Sequence, residues 1–155
     1  MKTKKILFVL LALFLTAPVM RSQKSVDQLF NEFSKEKGVE RVSIGKFTMK
    51  LVGLFEKDVK GVDGVEVFSF DECEKSVRDS LNSAIASLKD ENYETMVSVN
   101  EDSERTKILV KVKDDTIREL VILTTGDDPA IIRIKGKIKP SDVDSVIINA
   151  KSDKK

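Results

Sequence analysis

Four stretches of the chain repeat apolar residues at the three- and four-residue spacing of a helix face. Ser25 is followed three residues later by Gln28, which is the pattern of a helix cap, and predicts a first helix that ends at Gly38. Asp71 and Glu74 form a similar capping pair for a longer helix that carries Cys73 on its apolar face. The predicted helices cover residues 25–38, 49–59, 71–88 and 141–150.

Other stretches alternate apolar and polar residues, which is typical of half-buried strands. Two precede the long helix, separated by a turn at 61–64, and the rest follow one another after it. Asp114-Asp115 and Gly126-Asp127-Asp128-Pro129 read as hairpin turns between the later strands. The predicted strands cover residues 41–48, 65–70, 94–99, 107–112, 117–125 and 130–138. This order predicts an α+β domain, a mostly antiparallel sheet of about five to six strands with helices packed on one face.

The first 22 residues have the pattern of a secretory leader. A basic start precedes an apolar run at 6–15 and a short exit that ends near Ser22. The run is shorter than the roughly 20 apolar residues that span a membrane, and no later stretch reaches that length. We predict a signal peptide over 1–22 and one domain over 23–155 with a short frayed tail. The mature protein is expected to be periplasmic or secreted, and not a lipoprotein because Cys73, the single cysteine, lies far from the cleavage site.

Removal of the leader changes the charge of the protein. The whole chain carries 27 basic and 26 acidic side chains, and the leader holds Lys2, Lys4, Lys5 and Arg21. The mature chain therefore has 23 basic and 26 acidic side chains, a net charge of −3. Nucleic-acid binders carry a net basic surface, so we expect no nucleic-acid partner.

The composition limits the catalytic chemistry that the chain could perform. It contains no histidine, which excludes Ser-His-Asp and Cys-His arrangements and any histidine-based zinc site. Cys73 is expected to be a buried structural residue. Asp127 and Asp128 lie in a predicted turn, where aspartate is favoured, and they are also weak candidates for a calcium site. Asp114-Asp115 belongs to the preceding hairpin and is expected at the opposite end of the sheet. We therefore predict no catalytic residue and no cofactor.

The late strands place cations on one side of the predicted sheet. Period-two alternation separates Ile108, Val110 and Val112 from the lysines of the same strand, and it sorts residues 130–138 likewise. The six cations predicted to share one face are Lys107, Lys111, Lys113, Arg133, Lys135 and Lys137. Three interpretations remain open: a solvated face guarded against edge pairing, a surface for an anionic ligand or acidic partner, and self-association through apolar neighbours. Residues 120–123 are apolar on both faces, which predicts cover on both sides of the sheet.

The strand-turn-strand phrase at 108–123 and its continuation through Gly126-Asp127-Asp128 into 132–138 resemble the closing strands of the domain of unknown function 4252 family, small secreted proteins of Bacteroidetes-type bacteria. The opening, with a leader, Leu29-Phe30 and Gly38-Val39, is similar as well. The resemblance implies an exported α+β domain. It also implies a role in envelope signalling, because the genes of family members look like neighbours of the genes for extracytoplasmic sigma factors and their membrane-bound antagonists. It supplies no site residues.

These observations together predict an exported, noncatalytic protein that binds an envelope protein or an anionic ligand through the basic sheet face. One alternative is a carboxylate- or metal-dependent hydrolase that uses Asp127 and Asp128. The other is a structural homodimer.

Overall fold

A six-stranded antiparallel sheet dominates the computed structural model, which describes residues 24–45 and 61–152. The strands are β1 (Glu40–Gly45), β2 (Val62–Ser69), β3 (Glu94–Glu101), β4 (Glu104–Lys113), β5 (Thr116–Thr125) and β6 (Ala130–Ile138). The helices are α1 (Val26–Phe33), α2 (Lys75–Ala86) and α3 (Val143–Ser152), the last preceded by a 3-10 turn at Pro140–Asp142. The predicted α+β class and antiparallel sheet are confirmed. No helix in these described ranges is long and apolar enough to cross a membrane.

The strand order in the sheet is β1-β2-β6-β5-β4-β3. Strands β3 to β6 form successive hairpins, and β2 pairs with β6 rather than with β3. β5 and β6 are therefore central, which explains why residues 120–123 are buried on both faces, as their composition predicts.

The face that carries α1 and α2, here called the helix face, holds the first apolar cluster. Phe30 of α1 packs edge-on against Phe68 of β2, with ring centroids 5.4 Å apart. Leu81 and Ile85 of α2 belong to the same cluster as Val121 of β5. Burial of each such side chain contributes roughly 1.5–3 kcal/mol, so these contacts fix both helices on the sheet.

The opposite face holds a second apolar cluster. Ile122, Ile132 and Ile134 point to this side, and Val143 and Val146 of α3 belong to the same cluster. The 3-10 turn after β6 directs the chain to this side. The predicted packing of helices on one face thus describes α1 and α2, whereas α3 packs on the other.

Several predicted boundaries differ from the observed ones. α1 ends at Phe33, because Ser34 caps it and the chain then turns before Gly38, which has a φ of +92°. α2 begins at Lys75 without a side-chain cap, so the predicted capping pair is wrong and Cys73 is buried ahead of the helix rather than on it. β2 already begins at Val62, within the predicted 61–64 turn. The predicted helix at 49–59 and the predicted signal peptide at 1–22 lie outside the described residues.

The end of β6 lies unusually close to the start of β2. The Lys137 backbone N–H donates to the carbonyl oxygen of Gly61 at 2.6 Å. A Cβ atom on Gly136 would lie 1.9 Å from that oxygen, so only glycine fits there. This contact fixes the backbone that carries Lys135 and Lys137.

Candidate functional site

The strand register places all six predicted cations on the helix face. Leu109 of β4 pairs with Val121 of β5, and both belong to the cluster under α1 and α2. Three lysines of β4 lie two or four residues from Leu109 and therefore point to the same side as Leu109: Lys107, Lys111 and Lys113. Arg133 pairs with Val121, and Lys135 pairs with Glu119 on the same side. The face is partly covered by the helices, so its cations have different surroundings.

Arg133 is engaged within the protein. Its Nε donates to Oε1 of Glu119 at 2.5 Å, and its Nη2 donates to Oδ1 of Asp27 at 3.0 Å. The guanidinium also lies over the ring of Phe30, 4.7 Å from its centroid. Only 15% of the side chain is exposed. Arg133 therefore ties α1 to the sheet, and little of its charge faces solvent.

Glu119 is the buried charged residue at the centre of this network. It is 7% exposed and accepts a second hydrogen bond, at 2.7 Å, from the hydroxyl of Tyr93. Lys111 lies above the Tyr93 ring, 5.7 Å from the centroid. Arg133 and Tyr93 thus both donate to Oε1 of Glu119, and the guanidinium compensates the charge of the carboxylate.

The network perturbs the ionisation of its members. Burial, reinforced by the hydrogen bond to Glu119, raises the pKa of the Tyr93 hydroxyl far above its ordinary value. Burial opposes the charge of Arg133, but the hydrogen bond and charge of Glu119 outweigh it and raise the pKa of the guanidinium. Tyr93 therefore stays a neutral donor and Arg133 a cation at all physiological pH.

A second set of contacts joins the start of α1 to the same region. The Val26 N–H donates to Oδ2 of Asp90 at 3.0 Å, and the Asn92 N–H donates to Oδ1 at 3.0 Å. Burial opposes the charge of Asp90, but these bonds and the nearby charge of Lys111 hold the pKa of its carboxyl below its ordinary value. Asp90 thus acts as an ionised anchor for the first turn of α1.

Four of the six cations are exposed, and we call them the basic surface: Lys111, Lys113, Lys135 and Lys137. Lys107 is half-buried and lies nearer the start of β4, paired with Leu123. Lys111 and Lys135 both pair with Glu119 from opposite sides, so their backbones are about two strand spacings, or 10 Å, apart. The basic surface therefore surrounds a carboxylate whose charge is already compensated.

The basic surface has few internal partners. Among the described residues, no carboxylate forms an ion pair with Lys113, Lys135 or Lys137. The adjacent turn does contribute acidic groups: Asp114 lies 4.0 Å from Arg118, and Asp115 follows it, both with φ of 54°. These two carboxylates border the surface at the end of the β4–β5 hairpin.

Asp127 and Asp128 lie at the other end of the sheet, in the β5–β6 turn. The side chain of Asn82 donates to the Gly126 carbonyl at 2.9 Å and accepts from the Gly126 N–H at 3.3 Å. The Asp127 carbonyl accepts from Nη1 of Arg78 at 2.7 Å. Within the described ranges no group of three or more His, Cys, Asp or Glu could hold a metal ion. The contacts of this turn are those of a loop fastened to α2.

Cys73 is buried between the turn that follows β2 and the start of α2. Burial, with the charges of Glu36 and Asp71, raises the pKa of its thiol, and Arg78 only partly opposes this. The thiol is therefore protonated and unreactive at neutral pH, which suits the structural role expected from the sequence.

Sequence reasoning missed Glu119 and Tyr93. Glu119 directly precedes the apolar run at 120–123, and a charged residue beside a buried run indicates a buried ion pair. Tyr93 is the single tyrosine of the chain. Neither signal identifies the partner, because Asp27, Glu119 and Arg133 are brought together by pairing across the sheet and by the docking of α1.

The chain matches the model of a known protein family. The model of the family described as "Domain of unknown function (DUF4252)" matches residues 33–146, a range that runs from the last residue of α1 into α3. No curated protein and no solved structure matches the chain.

Proposed function

The chain belongs to this family of unknown function, and we propose that it is an exported, noncatalytic protein that binds an acidic partner protein in the cell envelope through the basic surface. The envelope location rests on the leader pattern of residues 1–22. The absence of histidine and of any recognisable catalytic motif in the sequence supports a binding role. Envelope signalling is the role that the family resemblance favours.

The observation that carries the proposal is the separation of the cations into two classes. Arg133 forms ion pairs with Glu119 and Asp27, so its charge stabilises the fold. The four lysines of the basic surface are exposed on β4 and β6, which pair with β5 on either side of it. A group of cations on a rigid sheet, in a protein with a net negative mature charge, favours an acidic partner by complementarity.

The arrangement also fixes what such a partner would meet. The lysine side chains of β4 and β6 lie on either side of β5, and Arg133 compensates the charge of Glu119 between them. An acidic protein surface with carboxylates spaced about 10 Å apart would match Lys111 and Lys135. Exposed ion pairs are each worth about 0.2–1 kcal/mol, so several are needed together, and binding is expected to weaken as salt rises.

The test is site-specific photo-crosslinking in the native envelope. A benzoylphenylalanine at Thr116, next to Lys113 in the register, captures a bound protein without using lysine chemistry. The test variant reverses Lys113, Lys135 and Lys137 to glutamate and spares Arg133 and Lys111, which have internal contacts. The control variant reverses Lys35, Lys37 and Lys75, which are exposed elsewhere, so the change in net charge is the same.

We expect one crosslinked protein with the unmodified basic surface and with the control variant, and its loss with the test variant. Equal capture by both variants would refute the assignment of the site. If nothing is captured even with the basic surface intact, a protein partner is refuted. A rise in melting temperature with pyrophosphate that the test variant lacks would then identify a small anionic ligand.

A further inference from the structure

A different surface, the edge strand β3, is open to pairing. β3 is last in the sheet order and pairs only with β4 among the described strands. All of its residues are exposed. An edge strand presents unpaired N–H and C=O groups to which another extended segment can bond. Natural edges are commonly guarded by lysine or proline, and β3, with the sequence Glu-Thr-Met-Val-Ser-Val-Asn-Glu, contains neither.

A bulge interrupts β3 near its start and leaves a regular stretch after it. The register shifts between Thr95 and Val97, which places the extra residue at Met96. From Val97 to Glu101 the pairing with β4 is one to one. Residues 97–101 therefore form a continuous edge about as long as a typical strand.

The side chains of this stretch extend the apolar side of the sheet to its border. Val97 pairs with Ile108, a member of the cluster on the side opposite the helix face, and Val99 points the same way. Val97 is 37% exposed and Val99 is 42% exposed. Apolar side chains of an added strand would pack beside these two valines as cross-strand neighbours.

The charges around β3 indicate what kind of strand would add. Glu94 and Glu101 stand at its two ends, and Glu104 lies opposite Glu101. Two cations of β4 lie beside this stretch on the helix face: Lys107 pairs with Ser98, and Arg105 pairs with Asn100 and donates to its Oδ1 at 2.7 Å. The apolar stretch is thus bracketed by carboxylates. Positive residues at both ends of an incoming strand would complement them.

The same charges disfavour a second copy of the chain. In the antiparallel register that spans the whole of β3 and sets Val97 of one copy against Val99 of the other, Glu94 would lie against Glu101 at both ends of the contact, and like charges directly opposite one another are destabilising. We propose that β3 is a docking edge for an extended segment of another protein, with apolar residues in its centre and basic residues at its ends, which adds to the sheet as a further strand.

Two designed peptides test the proposal. They carry fluorescein at the N-terminus and an amide at the C-terminus, with the sequences Lys-Thr-Val-Thr-Val-Thr-Lys and Glu-Thr-Val-Thr-Val-Thr-Glu, so that the valines and the end charges share the face of Val97, Val99, Glu94 and Glu101. Binding to the purified protein is followed by fluorescence anisotropy. We expect the lysine peptide to bind about tenfold more tightly, since two cross-strand charge pairs change from repulsive to attractive.

Variants locate the binding edge. The double variant Glu94→Lys with Glu101→Lys is expected to reverse the preference, so that the glutamate peptide binds more tightly. Val99→Lys should weaken both peptides by about tenfold, because it places a charge among the apolar contacts. The matched control, Val42→Lys, alters an exposed valine on the other edge strand, β1, and should leave binding unchanged.

Several outcomes would overturn the proposal. Equal affinity for the two peptides, absence of binding to either, or an unreversed preference in the double variant would each do so. Sedimentation velocity supplies the remaining arm. A dimer that Val99→Lys dissociates would assign the β3 edge to a second copy of the chain and reject the basic partner segment.

Discussion

Replacement of Glu119 by glutamine should destabilise the protein strongly although it preserves the shape of the side chain. The carboxylate is the closest counter-ion of Arg133, at 2.5 Å, and the two side chains are only 10% and 15% exposed. Removal of one partner of a buried pair costs roughly 3–5 kcal/mol, because the other charge stays buried without compensation. Asp27 still lies 3.0 Å from Nη2 of Arg133, so we expect the lower end, about 3 kcal/mol.

Such a loss is large against a total stability of about 5–15 kcal/mol. Urea unfolding followed by far-ultraviolet circular dichroism should show a midpoint lowered by about 2 M with an unchanged slope. The matched control is Asp27→Asn, which removes the more exposed partner of Arg133 and should cost less than about 1 kcal/mol.

A paired replacement separates the charge from the packing. In a Tyr93→Phe background, where no hydroxyl is left without its acceptor, Glu119→Leu together with Arg133→Met removes both charges and keeps apolar volume, and such exchanges of buried pairs are often neutral or stabilising. We expect the double variant to be within about 1 kcal/mol of the Tyr93→Phe protein. If Glu119→Gln costs less than about 1 kcal/mol, or if the double variant is as unstable as the single one, the buried pair does not anchor α1 in the way argued.

Two further predictions concern other parts of the molecule. Because the pKa of Tyr93 is raised on folding, its neutral form stabilises the fold fully below the ordinary value of 10.0, and this contribution is lost as the pH rises above it. Absorbance at 295 nm should show a much later midpoint in the native protein than in urea, and Tyr93→Phe should remove the Tyr93 contribution to the alkaline loss of stability. A native midpoint near 10.0 would contradict the buried hydrogen bond. Calcium should leave the melting temperature unchanged, and the purified protein should hold no stoichiometric metal by mass spectrometry, since Asp127 and Asp128 belong to no metal-binding group among the described residues; a calcium-dependent rise that Asp127→Asn with Asp128→Asn removes would support the hydrolase alternative.

The strands could be predicted because their signal is local. The sequence places β6 at 130–138, the observed bounds, since alternation of Ile132 and Ile134 with cations and a Gly-to-Pro turn mark its start and face. β4 and β5 are predicted within three residues at each end for the same reason. The family was likewise predicted from the strand-turn-strand phrase, and the family match confirms it.

The contacts of Arg133 with Asp27 and Glu119 could not be predicted, because they depend on elements far apart in the chain. Alternation assigns Arg133 and Lys135 to one side but cannot distinguish a buried cation from an exposed one. That distinction comes from Asp27, more than a hundred residues earlier, and from the pairing of β5 with β6. Helix ends were predicted less well, since Ser34 and the turn before Gly38 end α1 by backbone geometry that composition does not specify.

The position of β6 between β2 and β5 has a consequence for the order in which the protein can fold. β2 ends at Ser69, and its partner β6 begins at Ala130, so a long stretch of chain must be present before the two can meet. Pairing of such distant segments is slow because loop closure precedes any gain from contact. Until its C-terminal third emerges, the chain cannot join β1 and β2 to the remaining strands. For a chain that is exported, as we propose, this delay would slow assembly of the complete sheet before the chain has crossed the membrane.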